Sequence, residues 1–132
     1  MVRPCFLVID REFAGSISTR KLVIETEKFN VLTAYSAKEA IETLRKYSAL
    51  DGVVLDSDVR DIPCGELVSS LRGIKRSLPV IAVCGPGDPS CPSADYQLES
   101  FEPRALLQLL RTLLPSESAA IEKHEEDLHR EL

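Results

Sequence analysis

The chain has 132 residues and a net charge of −5, and 44% of its residues are hydrophobic while only 5% are aromatic. This length fits one ordinary domain, whose core must be aliphatic because the chain contains no tryptophan. The acidic balance argues against direct binding to nucleic acid, whose phosphates need a basic face. No apolar stretch reaches the roughly 18 residues of a membrane helix, and the start lacks a signal peptide's apolar segment. A cytoplasmic location is therefore the default expectation.

Short apolar runs alternate with helical patterns along most of the sequence, which is typical of a parallel sheet wrapped by helices. Apolar runs bounded by polar residues indicate strands that are buried on both faces. The predicted strands cover residues 5–9, 30–33, 52–55, 79–83 and 96–98. The first and third helices are predicted over residues 14–28 and 66–77, and the second begins after Ser36.

The second predicted helix has the clearest pattern. Ser36 and Glu39 form a capping box, in which the two side chains satisfy free backbone donors of the first turn. Apolar residues then recur at helical spacing and predict one buried stripe. The members of that stripe are Ala37, Ala40, Ile41, Leu44 and Tyr47.

The pattern changes after the fourth predicted strand. Pro86, Gly87, Pro89 and Pro92 all lie in the ten residues 86–95. Proline removes a backbone donor and clashes with the preceding helical turn, so this segment is predicted to be a loop. A last helix is predicted from Pro103, with an inner face of leucines at positions 106, 107, 110, 113 and 114.

Pro115 is expected to end the last helix, which divides the chain into a domain at 1–115 and a charged helical tail or linker at 116–132. Leu114, Ile121 and Leu128 recur at seven-residue spacing in and before this tail. That spacing suggests a short coiled-coil seam, and through it a homodimer. The alternative is a solvated or frayed tail.

Two aspartates close apolar strands. Asp10 follows strand one and Asp56 follows the apolar run of strand three, and a helical stretch comes after each. Both should therefore lie at the carboxyl ends of parallel strands, where open α/β sheets build their sites. Two carboxylates at one edge form a hard-oxygen cation site or a carboxylate ready for modification.

Three segments around this pair resemble the receiver domain of bacterial two-component response regulators. They read FLVIDRE at 6–12, DGVVLD at 51–56 and PVIAVCG at 79–85, and the resemblance extends over residues 3–114. It implies an α/β flavodoxin-like fold, a doubly wound parallel sheet of five strands in the order 2-1-3-4-5. The helix that the family places between strands four and five is reduced here to the proline-rich loop.

The resemblance also implies roles for three aspartates. Asp56 matches the residue that accepts a phosphoryl group from a histidine kinase, although an aspartate at a strand end can also simply cap a loop. Asp10 matches a ligand of Mg²⁺. Asp58 matches the position whose backbone carbonyl binds the same ion.

Four positions bear on whether such a site works. Arg11 replaces a second acid, so Mg²⁺ binding is expected to be weak, with Glu12 at best a poor substitute. Cys84 replaces a threonine or serine hydroxyl, and a thiol is a weak donor. Glu99 replaces a lysine and would repel a phosphate. Tyr96 matches the family's switching aromatic, although it is more simply explained as core filling.

Arg11 has two alternative placements. Its guanidinium either enters the pocket, where it pairs with Asp10 or Asp56 in place of the ion, or points to solvent. A salt bridge between Arg11 and Glu99 would explain both unusual residues together. Chance divergence is the alternative.

The chain has four cysteines, Cys5, Cys64, Cys84 and Cys91, without a C-x-x-C pair. Their spacing does not favour a four-cysteine zinc site, and reduced, partly buried thiols are the expectation. A contact between Cys84 and Cys91 is compatible with the sequence but is not predicted by it.

Three functions are compatible with these residues. The favoured one is a degenerate receiver that signals through protein–protein interaction, with a histidine kinase or another signalling protein as partner. The second is a working but weak receiver phosphorylated at Asp56, and the third is a small-molecule or redox-sensing flavodoxin-like domain that could use Cys84 and Cys91. An enzyme is the least expected, because no nucleophile–base pair or glycine-rich phosphate cradle is visible.

Overall fold

The computed structural model describes residues 4–10, 19–26, 28–57, 61–84, 90–98 and 103–113. Its centre is one sheet of five parallel strands in the order β2-β1-β3-β4-β5, which confirms the predicted flavodoxin-like fold. The strands are β1 at Cys5–Ile9, β2 at Asn30–Ala34, β3 at Gly52–Asp56, β4 at Val80–Val83 and β5 at Tyr96–Leu98. The described helices are α1 at Thr19–Thr26, α2 at Ala37–Lys46, α3 at Cys64–Ile74 and α4 at Pro103–Leu113.

The sheet is covered on both faces, as its apolar runs predict. Every residue of β3 and β4 is buried. Helices α2 and α3 cover one face and form the first core. Helices α1 and α4 cover the other face and form the second core. The first core contains Leu7, Ile9, Leu44, Val53, Leu55, Leu67, Leu71, Val80, Ala82 and Cys91, and the second contains Phe6, Val8, Ile24, Phe29, Val54, Ile81, Val83, Leu106 and Leu110.

The second core requires a glycine at the start of β3. Gly52 pairs in register with Phe6 of β1, whose ring lies 5.5 Å from the ring of Phe29 between centroids. A Cβ atom on Gly52 would lie 2.6 Å from Cε1 of Phe6. Only a residue without a side chain therefore lets the Phe6 ring cross the start of β3.

The predicted cap of α2 is confirmed in part. Ser36 Oγ accepts a hydrogen bond from the Glu39 amide at 3.1 Å, and Glu39 Oε2 accepts one from the Tyr35 amide at 3.4 Å. The reciprocal bond thus reaches Tyr35 instead of the cap residue itself. Tyr47 was predicted in the buried stripe but is 58% exposed, because α2 ends at Lys46 and Tyr47 only caps it.

Cys64 and Cys91 form a disulfide with their Cα atoms 5.8 Å apart, so the prediction that all four thiols are reduced is wrong. The physical reason is the path of the chain after β4. Residues 90–95 return over α3, where Cys91 is fully buried, and α3 begins at Cys64, two residues earlier than predicted. Cys5 and Cys84 remain free, half-buried thiols.

The connection from β4 to β5 contains no helix among its described residues, 84 and 90–95. Polar contacts hold this segment against the sheet and α3. Asp95 Oδ2 accepts hydrogen bonds from the Val80 amide and from the Arg72 guanidinium, both at 2.7 Å. Arg72 also donates to the carbonyl of Ser93 at 2.9 Å.

Helix α4 begins at Pro103, as predicted, with Leu106 and Leu110 buried against the second core. The tail at 116–132 and all three residues of the predicted seam, Leu114 included, lie outside the described residues. The domain boundary and the homodimer therefore stay predictions. Within the described part of the chain, no helix is both long and apolar enough to cross a membrane.

Candidate functional site

Asp10 and Asp56 lie side by side at the carboxyl edge of the sheet. The last paired residues of their strands are Ile9 and Leu55, and each aspartate is the next residue along its strand. Adjacent strands run about 4.8 Å apart, so the two backbones approach closely at this point. The Asp10 amide donates to the carbonyl of Ala34 at 2.9 Å, which fixes its position against β2.

Both carboxylates are fully buried, at 0% exposure. Burying a carboxylate is costly unless other groups or a cation compensate, so such positions more often serve a site than the core. Ser57 follows Asp56 and is 2% exposed, and its hydroxyl has no hydrogen-bond partner among the residues that the structure describes. Ser57 was not predicted from the sequence, where its only indication is a small polar residue at the end of the apolar run.

The donor chemistry of this edge fits Mg²⁺, which takes hard oxygen ligands from one or two carboxylates. Asp10 and Asp56 supply the carboxylates, and the Ser57 hydroxyl is a buried oxygen still lacking a partner. The described residues contain no group of three or more His, Cys, Asp or Glu that could hold a metal. The third predicted ligand, Asp58, lies outside them.

Cys84 follows β4, next to this edge. Its amide donates to the carbonyl of Leu98 at 2.8 Å, which fixes the Cys84 backbone against β5. Its half-buried thiol donates to Oε1 of Gln97 at 3.7 Å, and the same oxygen accepts the amide of Cys91 at 3.0 Å. Gln97 was not singled out from the sequence, because a glutamine in a short edge strand has no recognisable pattern.

Tyr96 lies at the opposite, amino-terminal end of β5, where it pairs with Ile81 of β4. It is half-buried and packs against the second core. Whether Tyr96 also has a switching role stays a prediction.

Arg11, Glu12 and Glu99 lie outside the described residues, as Asp58 does. Pairing of Arg11 with an aspartate or with Glu99 therefore stays a prediction.

Asp61 forms a polar link that was not predicted from the sequence. Its two carboxylate oxygens accept the amides of Ala37 at 3.0 Å and Lys38 at 3.1 Å, at the start of α2. Its slight burial opposes ionisation, but the hydrogen bonds from backbone amides outweigh this and lower the pKa of Asp61. The chain that leaves Asp56 is thus attached to α2 within five residues.

No protein-family model matches the chain, and no curated protein matches it. Several solved structures do match the chain. A response regulator from Chloroflexus aurantiacus is 22% identical, with a TM-score of 0.74 over 86% of this chain and 99% of that one. A response regulator receiver domain protein from Clostridium thermocellum is 20% identical, with a TM-score of 0.74 over 89% and 98%.

A third similar structure is the receiver domain of a sensor histidine kinase from Pseudomonas aeruginosa, solved with a magnesium ion coordinated in its active-site cleft. It is 13% identical, with a TM-score of 0.72 over 87% of this chain and 100% of that one. At these identities the similarity establishes a shared fold.

Proposed function

We propose that this chain is a receiver-like signalling domain of a two-component response regulator. We further propose that it is atypical, with weak or absent phosphorylation of Asp56, and that it acts through protein–protein interaction. The observation that carries the proposal is the buried pair Asp10 and Asp56 at adjacent strand ends of a fold shared with receiver domains.

In this proposal Asp56 is the carboxylate that would accept a phosphoryl group, and Asp10 with the carbonyl of Asp58 would hold Mg²⁺. A bound cation supplies the positive charge that neutralises the phosphoryl oxygens facing the attacking carboxylate. Arg11 removes one acid from the expected ligand set, so we expect the affinity for Mg²⁺ to be low.

The position after β4 supports an atypical site. The Cys84 thiol is a weak donor, and in the described structure it is directed to Gln97. Glu99 in place of a lysine would add a repelling charge next to any phosphoryl group. Both residues disfavour the phosphorylated state, which supports a role in which binding depends on shape and surface.

The proposed partner is a histidine kinase or another signalling protein in the cytoplasm. The net charge of −5 gives no support for direct contact with nucleic acid. If the protein is a homodimer, the proposed seam is Leu114, Ile121 and Leu128, which carry the seven-residue spacing.

The test is labelling by acetyl phosphate with Mg²⁺, followed by intact-mass spectrometry. We expect the wild type to remain largely unmodified because the positive charges and the hydroxyl of a working site are missing. The triple variant Arg11→Asp, Cys84→Thr, Glu99→Lys should become labelled. Adding Asp56→Asn to the triple variant should abolish that label, which assigns it to Asp56.

Two outcomes contradict the proposal. Ready, Mg²⁺-dependent labelling of the wild type at Asp56 would favour the alternative function, a phosphoacceptor receiver controlled by a histidine kinase. A triple variant that is folded by circular dichroism and yet inert would show that these three residues do not account for the altered site.

A further inference from the structure

All four cysteines belong to or pack against the core on the face of the sheet covered by α2 and α3, and three of them lie close to one another. The Cys64–Cys91 disulfide belongs to the first core, and the free thiol of Cys84 packs against the same core. Gln97 joins them, because its Oε1 accepts both the Cys84 thiol and the Cys91 amide. The fourth cysteine, Cys5, begins β1 at the opposite edge of the sheet.

The disulfide lies beside an open surface cleft. Cys91 is fully buried, but Cys64 is 7% exposed at the first residue of α3. A cleft of about 390 Å³ starts at the next residue, Gly65, and Ser93 forms its other wall. This volume is within the range of small-molecule sites. Cys64 and Cys91 do not line the cleft themselves, so a small thiol reagent bound there lies beside the residue that follows Cys64.

The cleft also offers a favourable charge. The Arg72 guanidinium lines it and bonds both Ser93 and Asp95. A neighbouring guanidinium favours the thiolate form of an incoming thiol, and the thiolate is the attacking species in exchange with a disulfide. The charge of Asp95 reduces this effect, so the contribution of Arg72 is modest.

Opening the disulfide would leave the surrounding strands in place. The Asp95 amide donates to the carbonyl of Val80 at 2.9 Å, and the Asp95 carboxylate holds the Val80 amide and Arg72. These bonds anchor the chain just before β5 without the disulfide. Reduction should therefore release Cys91, and with it the Cys91 amide bond to Gln97, while β4 and β5 stay paired.

We propose that Cys64–Cys91 is a reversible redox-modification site, reduced by a small dithiol entering the α3 cleft, and that Gln97 transmits its state to the Cys84 thiol. In the balanced step, a thiolate of the dithiol attacks Cys64 Sγ and the Cys64–Cys91 bond breaks. The second thiol then closes the cyclic disulfide of the reagent. Two electrons and two protons pass to Cys64 and Cys91.

This inference goes beyond the proposed function and does not depend on it. Cys84 lies at the carboxyl edge of β4, next in space to the end of β3, where Asp56 is. A change in the Cys84 contacts would therefore alter the surroundings of the carboxylate pair, whether or not Asp56 is phosphorylated. In reducing compartments, disulfides are usually transient and redox-sensing, which matches a reversible pair.

The experiment measures the rate at which a maleimide modifies Cys84 in the folded protein, by peptide mass spectrometry without any phosphodonor. Dithiothreitol is the reductant. We expect reduction of Cys64–Cys91 to raise the Cys84 rate several-fold, because Gln97 loses the Cys91 amide and no longer holds the thiol. Cys5 is the internal control. Burial and the Asp51 carboxylate raise the pKa of the Cys5 thiol. The maleimide rate of Cys5 should be the same before and after reduction.

Two variants sharpen the test. Cys64→Ser with Cys91→Ser should show the fast Cys84 rate without any reductant, and Gln97→Leu should make the Cys84 rate independent of redox state. The proposal is overturned if reduction leaves the Cys84 rate unchanged, or if the Cys84 and Cys5 rates rise together, which indicates global unfolding. It is also overturned if Gln97→Leu retains the full redox dependence. If the double variant fails to fold, the Cys84 rate in the reduced wild type still tests the proposal.

Discussion

The two halves of the sheet are held together by different means. In the half formed by β1, β2 and β3, the described chain between consecutive strands includes a helix that packs on the sheet. In the half formed by β4 and β5, the described connecting residues contain no helix. Their place is fixed by the Cys64–Cys91 disulfide and by the bonds of Asp95 and Arg72.

Burial follows the position of a strand in the sheet. All residues of β3 and β4 are buried, whereas the edge strand β5 has only three residues, none of them fully buried. Helix packing stabilises a strand through apolar area removed from water, and β5 has less of it to contribute. A covalent bond and a few polar contacts thus fix the described part of the connection to β5, in which no helix is present.

The largest expected effect comes from removing the disulfide. Cys64→Ala with Cys91→Ala should lower the free energy of unfolding by about 3 to 4 kcal/mol, because the bond closes a sequence separation of 27 residues. Urea denaturation without reductant measures this. Cys84→Ala, which removes a half-buried free thiol, is the control and should cost far less. Equal losses in the two proteins would mean that the disulfide does not hold this half.

In the half formed by β1, β2 and β3, the test adds a methyl group where the packing leaves no room for it. Gly52→Ala should destabilise the protein by about 1 to 3 kcal/mol, because the new methyl group collides with the Phe6 ring. The matched control is Gly73→Ala in α3, where no atom lies within 4 Å of the added Cβ. There the better helix propensity of alanine should stabilise by about 0.5 to 1 kcal/mol. Similar changes in both variants would contradict the close packing of β1 and β3.

A smaller effect on stability is expected at Asp61, which links the chain that follows Asp56 to the start of α2. Asp61→Ala removes two acceptors for amides of α2 and should cost about 1 kcal/mol at neutral pH, as other helix caps do. The folded-state pKa of Asp61 is lowered below its ordinary value of 3.8. Its contribution is therefore complete above that pH and is lost as the pH falls through the lower folded-state pKa.

Unfolding curves of the wild type and Asp61→Ala, recorded at several pH values, check this dependence. The stability difference between the two proteins should shrink below pH 3.8. A difference that is constant down to the acid limit would show that the Asp61 carboxylate does not cap α2.

Most of the fold follows from local patterns. The apolar runs of β1, β3 and β4 are buried on both faces, and the stripe of α2 is correct up to Leu44. These features depend on periodicity, which a sequence displays directly. The prediction that Tyr47 is buried is wrong because the helix ends one residue before it. Helix ends are the least certain part of a prediction from sequence.

The missed features all depend on contacts between distant residues. The disulfide joins positions 27 residues apart, Asp61 reaches α2 across 24 residues, and Gln97 serves two separate cysteines. Such pairings have no period, and they depend on the path of the chain after β4. The pair Asp10 and Asp56 was predictable because parallel strands bring their carboxyl ends to one edge.

Amide hydrogen exchange of the oxidised and the reduced protein, followed residue by residue by NMR, tests the central claim most directly. If the disulfide holds the described part of the connection from β4 to β5, reduction should increase exchange at residues 90–94 and in the first turn of α3, while the amides of β1, β3 and β5 keep their protection. Increased exchange throughout the sheet, or unchanged exchange at residues 90–94, would contradict the account.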